Sequence, residues 1–348
     1  MAVDAPALAH PKKRPGDRGM SESRPKRIVV RAPNWLGDVI LSLPALRDIR
    51  RGNPGARIHV LARPSVAALY EAVPEIDGVL VAKGLLAEIR EMSEGFDLAV
   101  LLTNSIGTAL AATVGGVPER WGYATEGRGT LLTRKTPVPR DVRGRSQVHY
   151  YRAMLAAMGL PTSDALDTSL TPPAAWIEAG RALLGSGSFL GVAPGAAKGS
   201  AKQWPPERFA EAADRVAAEI GAQAVLLGAT ADAGAAAETA AAMKTPVLNL
   251  CGRTDLRAFA GVVASIRALI ANDSGAMHLG AALGIPTVGV FGPTNADETH
   301  PVGSRATFVR GVAECSPCRH VTCPIDHRCM TSVAPGTVAN ALLREIRS

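Results

Sequence analysis

The sequence predicts an α/β protein made of two similar halves, each a parallel sheet wrapped by helices. Short apolar, β-branched runs alternate with stretches of helical period, the pattern of strands joined by crossover helices. That alternation stops in a stretch rich in Pro, Gly and Ser, then restarts. The composition is 47% hydrophobic but only 4% aromatic. Ala, Gly, Val and Leu dominate, which suits helices packed closely on parallel strands. A chain of 348 residues is comfortable for two domains.

In the first half, strands are expected at 27–32 (RIVVRA), 57–62 (RIHVLA), 79–82 and 97–102 (DLAVLL). Helices are expected at 39–49, 65–73, 85–92, 108–114 and 147–158. Regularity fades between 159 and 188, where Pro161, Pro172 and Pro173 stand among Ser, Thr and Gly. In the second half, strands are expected at 189–193, 222–227, 246–250, 268–271 and 287–291. Helices follow at 206–220, 231–243, 256–264, 276–283 and 335–346. The expected organisation is therefore a disordered basic tail over 1–26, a first domain over 27–170, a linker over 171–188, a second domain over 189–334 and a terminal helix over 335–348. Two such halves put a cleft between the carboxyl ends of their sheets, where loops and helix N-termini converge on ligands.

The net charge of +7 invites a nucleic-acid reading, but the charge is unevenly placed. Lys12, Lys13, Arg14, Arg18, Arg24, Lys26 and Arg27 face only Asp4, Asp17 and Glu22 in the leading segment. Few aromatic residues are available for base stacking, so nucleic acid is not the expected partner. The tail reads as a solvated segment, with weak adhesion to an anionic lipid surface as its functional alternative. There is no secretory signal and no apolar run of transmembrane length. Five cysteines in so long a chain do not resemble a secreted disulfide scaffold. A cytoplasmic enzyme is expected.

The turn after the first strand, Asn34-Trp35-Leu36-Gly37-Asp38, opens a helix. Gly37 permits close backbone approach, and Asp38 is a carboxylate at the cleft edge, able to take a proton from a hydroxyl. The alternative is a simple first-turn helix carboxylate, and spacing alone does not separate the two. The turn is not G-x-G-x-x-G, which argues against a dinucleotide dehydrogenase. In the second half, the loop 194–205 (PGAAKGSAKQWP) follows a strand. Its small residues, with Gly195, Lys198 and Lys202, suit a phosphate site, the alternative being a surface loop with solvated lysines. The segment 272–278 (NDSGAMH) also runs from a strand into a helix. Asp273 and Ser274 there are cap candidates, and Ser274, Gly275 and His278 are candidate donors toward a diphosphate; the alternatives are capping alone and, for His278, a satisfied buried histidine. The 291–295 turn (FGPTN) lines the cleft or is structural.

Cys315, Cys318, Cys323 and Cys329, with His320 and His327 between them, have the ligand types of a structural zinc or iron–sulfur site. The spacing is not the usual pair of CxxC knuckles. The alternative is a reduced loop near the acceptor cleft, and no metal is expected in the chemistry. Cys251 reads as a packed thiol.

Four blocks in this order, 32–46 (APNWLGDVILSLPAL), 194–211 (PGAAKGSAKQWPPERFAE), 272–294 (NDSGAMHLGAALGIPTVGVFGPT) and 315–330 (CSPCRHVTCPIDHRCM), resemble glycosyltransferase family 9, the ADP-heptose:lipopolysaccharide heptosyltransferases. The resemblance covers about residues 27–346 and is strongest to the heptosyltransferase II type. It implies the GT-B fold, two facing Rossmann-like domains with acceptor in the first and nucleotide-sugar in the second. It implies inverting, metal-independent and cofactor-free transfer of L-glycero-D-manno-heptose from ADP-heptose to the lipid A-core acceptor, with the second heptose, onto heptosyl-Kdo2-lipid A, as the expected position. Peripheral contact with the inner membrane fits such an acceptor. Asp38 matches the family's base, Lys202 a lysine facing the donor phosphates, and Asp273, Ser274, Gly275 and His278 the donor-binding block. Arg120, Arg128 and Arg134 are expected to meet acceptor anions or to form a solvated basic face. The competing readings are a transferase of the same fold with another nucleotide-sugar or heptose position, a basic nucleic-acid-binding protein, and a non-catalytic binding protein, which the acid at Asp38 disfavours.

Overall fold

The computed structural model describes residues 25–197 and 199–348, so most of the basic tail, and Lys198, lie outside the described residues. The first sheet contains β1 (Arg27–Arg31), β2 (Arg57–Ala62), β3 (Gly78–Val81), β4 (Leu98–Leu101), β5 (Glu119–Tyr123) and β6 (Arg134–Thr136). The second contains β7 (Phe189–Ala193), β8 (Gln223–Leu226), β9 (Val247–Asn249), β10 (Ala268–Asn272), β11 (Thr287–Phe291) and β12 (Ala306–Arg310). The spatial orders are β3-β2-β1-β4-β5-β6 and β12-β11-β10-β7-β8-β9, and neighbouring strands run parallel. This is the two-sheet α/β architecture that the alternating pattern predicts.

The helices of the first half are α1 (Leu36–Gly52), α2 (Pro64–Ala67), α3 (Leu85–Met92), α4 (Ile106–Val114) and α5 (Gln147–Ala157). Those that follow are α6 (Ala174–Leu184), α7 (Pro206–Ile220), α8 (Ala233–Ala242), α9 (Leu256–Val263), α10 (Gly275–Ala282), α11 (Ala296–Thr299), α12 (Arg328–Thr331) and α13 (Pro335–Arg347). Strand order reverses between β1 and β4 in one sheet and between β7 and β10 in the other. Loops leaving adjacent strands in opposite directions open a crevice at each of these points. The four loops concerned carry the Asp38 turn, Asn104, the Gly195–Lys202 segment and Asp273-Ser274.

Each half buries both sheet faces. α1 and α5 pack together on one face of the first sheet, and α3 and α4 on the other. The apolar cluster beneath α1 runs without a break from Ile28 and Val30 through Tyr151 to Met277 and Leu279 of α10. The two halves thus share core across the seam between α1 and α10.

Six elements go beyond the sequence expectation: β5, β6, β12, α6 and the four-residue helices α11 and α12. β5, β6 and β12 were not foreseen because ERWGY, RKT and ATFVR carry polar residues; β6 and β12 are also edges, which pair on one side only. The expected linker over 171–188 holds α6, whose N-cap is Pro173; the prolines that look like a linker signal start a helix instead. α6 packs on α9 through glycines. A Cβ on Gly180 would lie 2.1 Å from the Gly261 carbonyl carbon, and one on Gly261 would lie 1.7 Å from the Trp176 oxygen. Gly261→Ala is therefore expected to force the helices apart and cost about 1–3 kcal/mol or more in urea unfolding. Gly234→Ala, in open space on α8, is the control and should be neutral or stabilising.

Candidate active site

The first half supplies a turn built for close approach. β1 ends at Arg31, and α1 begins at Leu36 with Trp35 as its N-cap and Asp38 in its first turn. Arg31 is buried. Its Nη2 donates to Glu88 Oε1 at 2.7 Å and to Asn34 Oδ1 at 3.1 Å, which braces the turn from below. Asp38 is half-buried and near the buried phenol of Tyr151, which burial, aided by the Asp38 charge, holds well above the ordinary tyrosine range.

The second half supplies an anion-type site. Asn272 is fully buried at the end of β10. Its Nδ2 donates to the Pro194 carbonyl at 2.7 Å and the Gly195 carbonyl at 3.3 Å, and its Oδ1 accepts from Trp204 N–H at 3.0 Å. One amide thereby clips the loop after β7 to the loop after β10. Gly195 lies against Asp232, whose Cγ would be 2.1 Å from a Cβ there. Lys202 Nζ pairs with Asp273 Oδ2 at 2.5 Å, and Thr294 Oγ1 donates to the same oxygen at 2.8 Å. The lysine is held in place and is not a solvated surface charge, the alternative that its sequence context left open.

Ser274 is the N-cap residue of α10, yet its side chain makes no cap hydrogen bond. Its Oγ and the Nδ1 of His278 are buried without a hydrogen-bond partner. Unpaired buried polar atoms are costly, and two of them in the first turn of a helix suit oxygens of an anion. Capping alone does not explain Ser274. His278 is buried; burial chiefly lowers its pKa from 6.5 to about 4, with Asp273 opposing and Lys202 and His300 assisting. Its ring is neutral at pH 7, a hydrogen-bonding group with no charge.

The two sites meet. A Cβ on Gly37 would lie 2.6 Å from His278 Cδ2, and one on Gly275 would lie 2.9 Å from Leu36 Cβ. The structure thus brings Leu36, Gly37, Gly275 and His278 together, with Asp38 one residue beyond and Lys202, Asp273 and Ser274 around the first turn of α10. Lys198 is outside the described residues. Thr294, Asn272 and Asp232 were not singled out from sequence. Thr294 had one signal, its place after a strand in the FGPTN turn.

A model of glycosyltransferase family 9 (heptosyltransferase) matches residues 86–328. The chain belongs to glycosyltransferase family 9. It is 31% identical over 307 residues to lipopolysaccharide heptosyltransferase 2 of Escherichia coli K12, covering 82% of this chain and 88% of the relative. It is 26% identical to lipooligosaccharide heptosyltransferase 2 of Haemophilus influenzae, with 81% and 88% covered. The solved structure of E. coli ADP-heptose lps heptosyltransferase II superimposes with a TM-score of 0.80 at 27% identity, covering 92% of this chain and 98% of that one. This family-9 chain therefore has the GT-B architecture, with two Rossmann-like halves, and is a glycosyltransferase.

The three first-half arginines expected to meet acceptor anions are engaged by the protein itself. Arg120 donates to the carbonyls of Leu131 at 2.7 Å and Val117 at 2.6 Å, and Arg134 lies over the Trp121 ring at 5.0 Å. Arg128 is fully buried, bonded to the carbonyls of Tyr123 and Thr103, with Nη2 unpaired. None of the three forms a freely solvated basic face. The cysteine loop packs on the Lys202 loop: Ala201 N–H donates to the Val321 carbonyl at 3.1 Å, and His327 Nε2 meets the Ala201 carbonyl at 2.6 Å. Its four cysteines are free thiols around one small cavity behind Lys202. Among the described residues no three His, Cys, Asp or Glu side chains are placed to hold a metal ion.

Because the unfolded chain takes up a proton on His278 near pH 6.5 and the folded chain only near pH 4, stability present above 6.5 is lost as pH falls through that window. Between about pH 7 and about pH 4.5 the wild type should lose about 2–3 kcal/mol more unfolding free energy than His278→Asn, read by urea titration.

Proposed function

We propose that this glycosyltransferase moves L-glycero-D-manno-heptose from ADP-heptose to a hydroxyl of the lipopolysaccharide inner core, as the second heptose, on the cytoplasmic side of the membrane. The observation that carries the reading is the packing of the Asp38 turn directly on the first turn of α10, where Ser274 Oγ and His278 Nδ1 lack partners. A base and an anion cradle on opposite sides of one seam suit attack on an anomeric carbon as a diphosphate leaves.

Asp38 takes the proton of the acceptor hydroxyl. The hydroxyl oxygen forms the new bond at the anomeric carbon from the face opposite the departing group, so the configuration inverts. The bond to the β-phosphate oxygen breaks, and its electron pair leaves with ADP. Lys202 and the amides opening α10 meet that growing charge, and Ser274 and His278 add hydrogen bonds. These groups supply the charge neutralisation that a metal ion gives in other transferases, so the reading needs no cofactor. Asp273 acts through Lys202: with Thr294 it fixes the ammonium, and its own carboxylate is turned to the lysine. The lipid acceptor puts the working position at the membrane surface, where residues 1–27 would add electrostatic attraction. No helix among the described residues is long and apolar enough to cross a membrane.

Asp38→Ala should lower heptosyl transfer by about 10²–10⁴-fold while calorimetric ADP affinity changes little; substantial retained turnover would remove Asp38 as the base. Lys202→Met should weaken ADP binding as well as transfer. In donor competition ADP should inhibit and UDP and GDP should not; preference for UDP or GDP would assign another donor.

A further inference from the structure

α4 carries no charged residue. Thr108, Ala109, Ala111 and Ala112 are buried, while Ile106, Leu110 and Val114 are 53%, 36% and 58% exposed. Their spacing of four residues places them in one outward stripe. A solvated helix face ordinarily carries charges; this one is aliphatic. α3 packs beside α4 and exposes Leu86 at 83% in its first turn. In a parallel sheet both helices begin at the carboxyl edge of the strands. That is the edge of the Asp38 turn: Glu88, two residues after Leu86, holds the Arg31 that braces Asn34. The apolar face is therefore continuous with the mouth of the acceptor half. On the same rim Arg63 and Lys83 are exposed, Arg90 follows one turn after Leu86, and Glu126 is the exposed carboxylate in the loop after β5.

We propose that the α3–α4 face is a membrane-docking surface, with Leu86, Ile106, Leu110 and Val114 entering the headgroup–acyl boundary of an anionic bilayer and Arg63 and Lys83 meeting lipid phosphates. The proposal rests on the lipid-acceptor reading only for its purpose; docking itself needs no donor or acceptor. An aliphatic stripe with cations at its rim fits an interfacial helix. A protein partner fits less well, since protein interfaces centre on aromatic and arginine anchors. A second copy fits less well too, since a two-fold contact pairs the patch with its own copy and brings two rims of the same charge together.

The test is flotation of the full chain with phosphatidylethanolamine vesicles, with and without phosphatidylglycerol. It is run in low and high salt, because high salt screens the contribution of the basic tail. The variant carries Leu86→Gln, Ile106→Gln, Leu110→Gln and Val114→Gln. Wild type should stay on anionic vesicles in high salt, and the variant should lose at least about tenfold in partition coefficient, with ADP affinity unchanged. Leu86→Glu alone, at the most exposed position, should shift partition in the same direction if the fourfold variant does not fold. Equal partition of wild type and variant overturns the proposal. So does a wild type that leaves the vesicles in high salt, or an apolar face whose only effect is on dimerisation by light scattering. ADP-heptose turnover is a separate assay, so a failed docking surface and a failed transfer reading are distinguishable.

Discussion

The contact between Gly37 and the His278 ring is the constraint on which the rest of the site depends. At 2.6 Å from a hypothetical Cβ to His278 Cδ2, the backbone of α1 sits as near the imidazole as a residue without a side chain permits. Gly275 repeats the device against Leu36. Two glycines, one from each half, let the first turns of α1 and α10 touch. Asp38 is carried on one of those turns and Ser274 on the other. Because the apolar core is continuous across the seam, the placement of Asp38 relative to Ser274 is set by packed side chains and not by a loop.

Electrostatics around the seam follow from this burial. A histidine pressed against backbone loses its water, so it stays neutral well below the ordinary imidazole range. In the proposed reaction the charge work then falls to Lys202, which is held by an Asp273 oxygen that Thr294 also donates to. Such a pair, partly buried, is worth more for orientation than for stability. Asn272 does the equivalent task for the backbone, tying the loops after β7 and β10 together where strand order reverses. The cysteine loop backs the same segment through Val321 and His327, so it supports the Lys202 loop from outside.

Much of this was legible in the sequence. The apolar runs of the central strands, such as IVV and ALIA, are buried on both faces and read clearly. Edge strands such as β6 and β12 carry Arg, Lys and Thr, so they lack the apolar run that marks a strand buried on both faces. Pro172-Pro173 looked like a linker because proline breaks helices from inside and starts them from outside, and local sequence does not say which. The site motifs at 34–38 and 272–278 were visible as strand-to-helix turns. Their mutual contact was not, because it depends on how the halves pack. The same limit applies to Arg128, whose burial comes from the fold of the 123–131 turn, and to the cysteine loop, whose place behind Lys202 is a tertiary fact.

A double-mutant cycle in kcat/KM over Gly37→Ala, His278→Ala and their combination measures directly whether the Gly37–His278 contact positions Asp38. If the ring is what the added methyl strikes, Gly37→Ala should cost at least about tenfold less in the His278→Ala background than in wild type. Strictly additive losses would show the contrary, that Gly37 and His278 act independently and that the seam does not position Asp38.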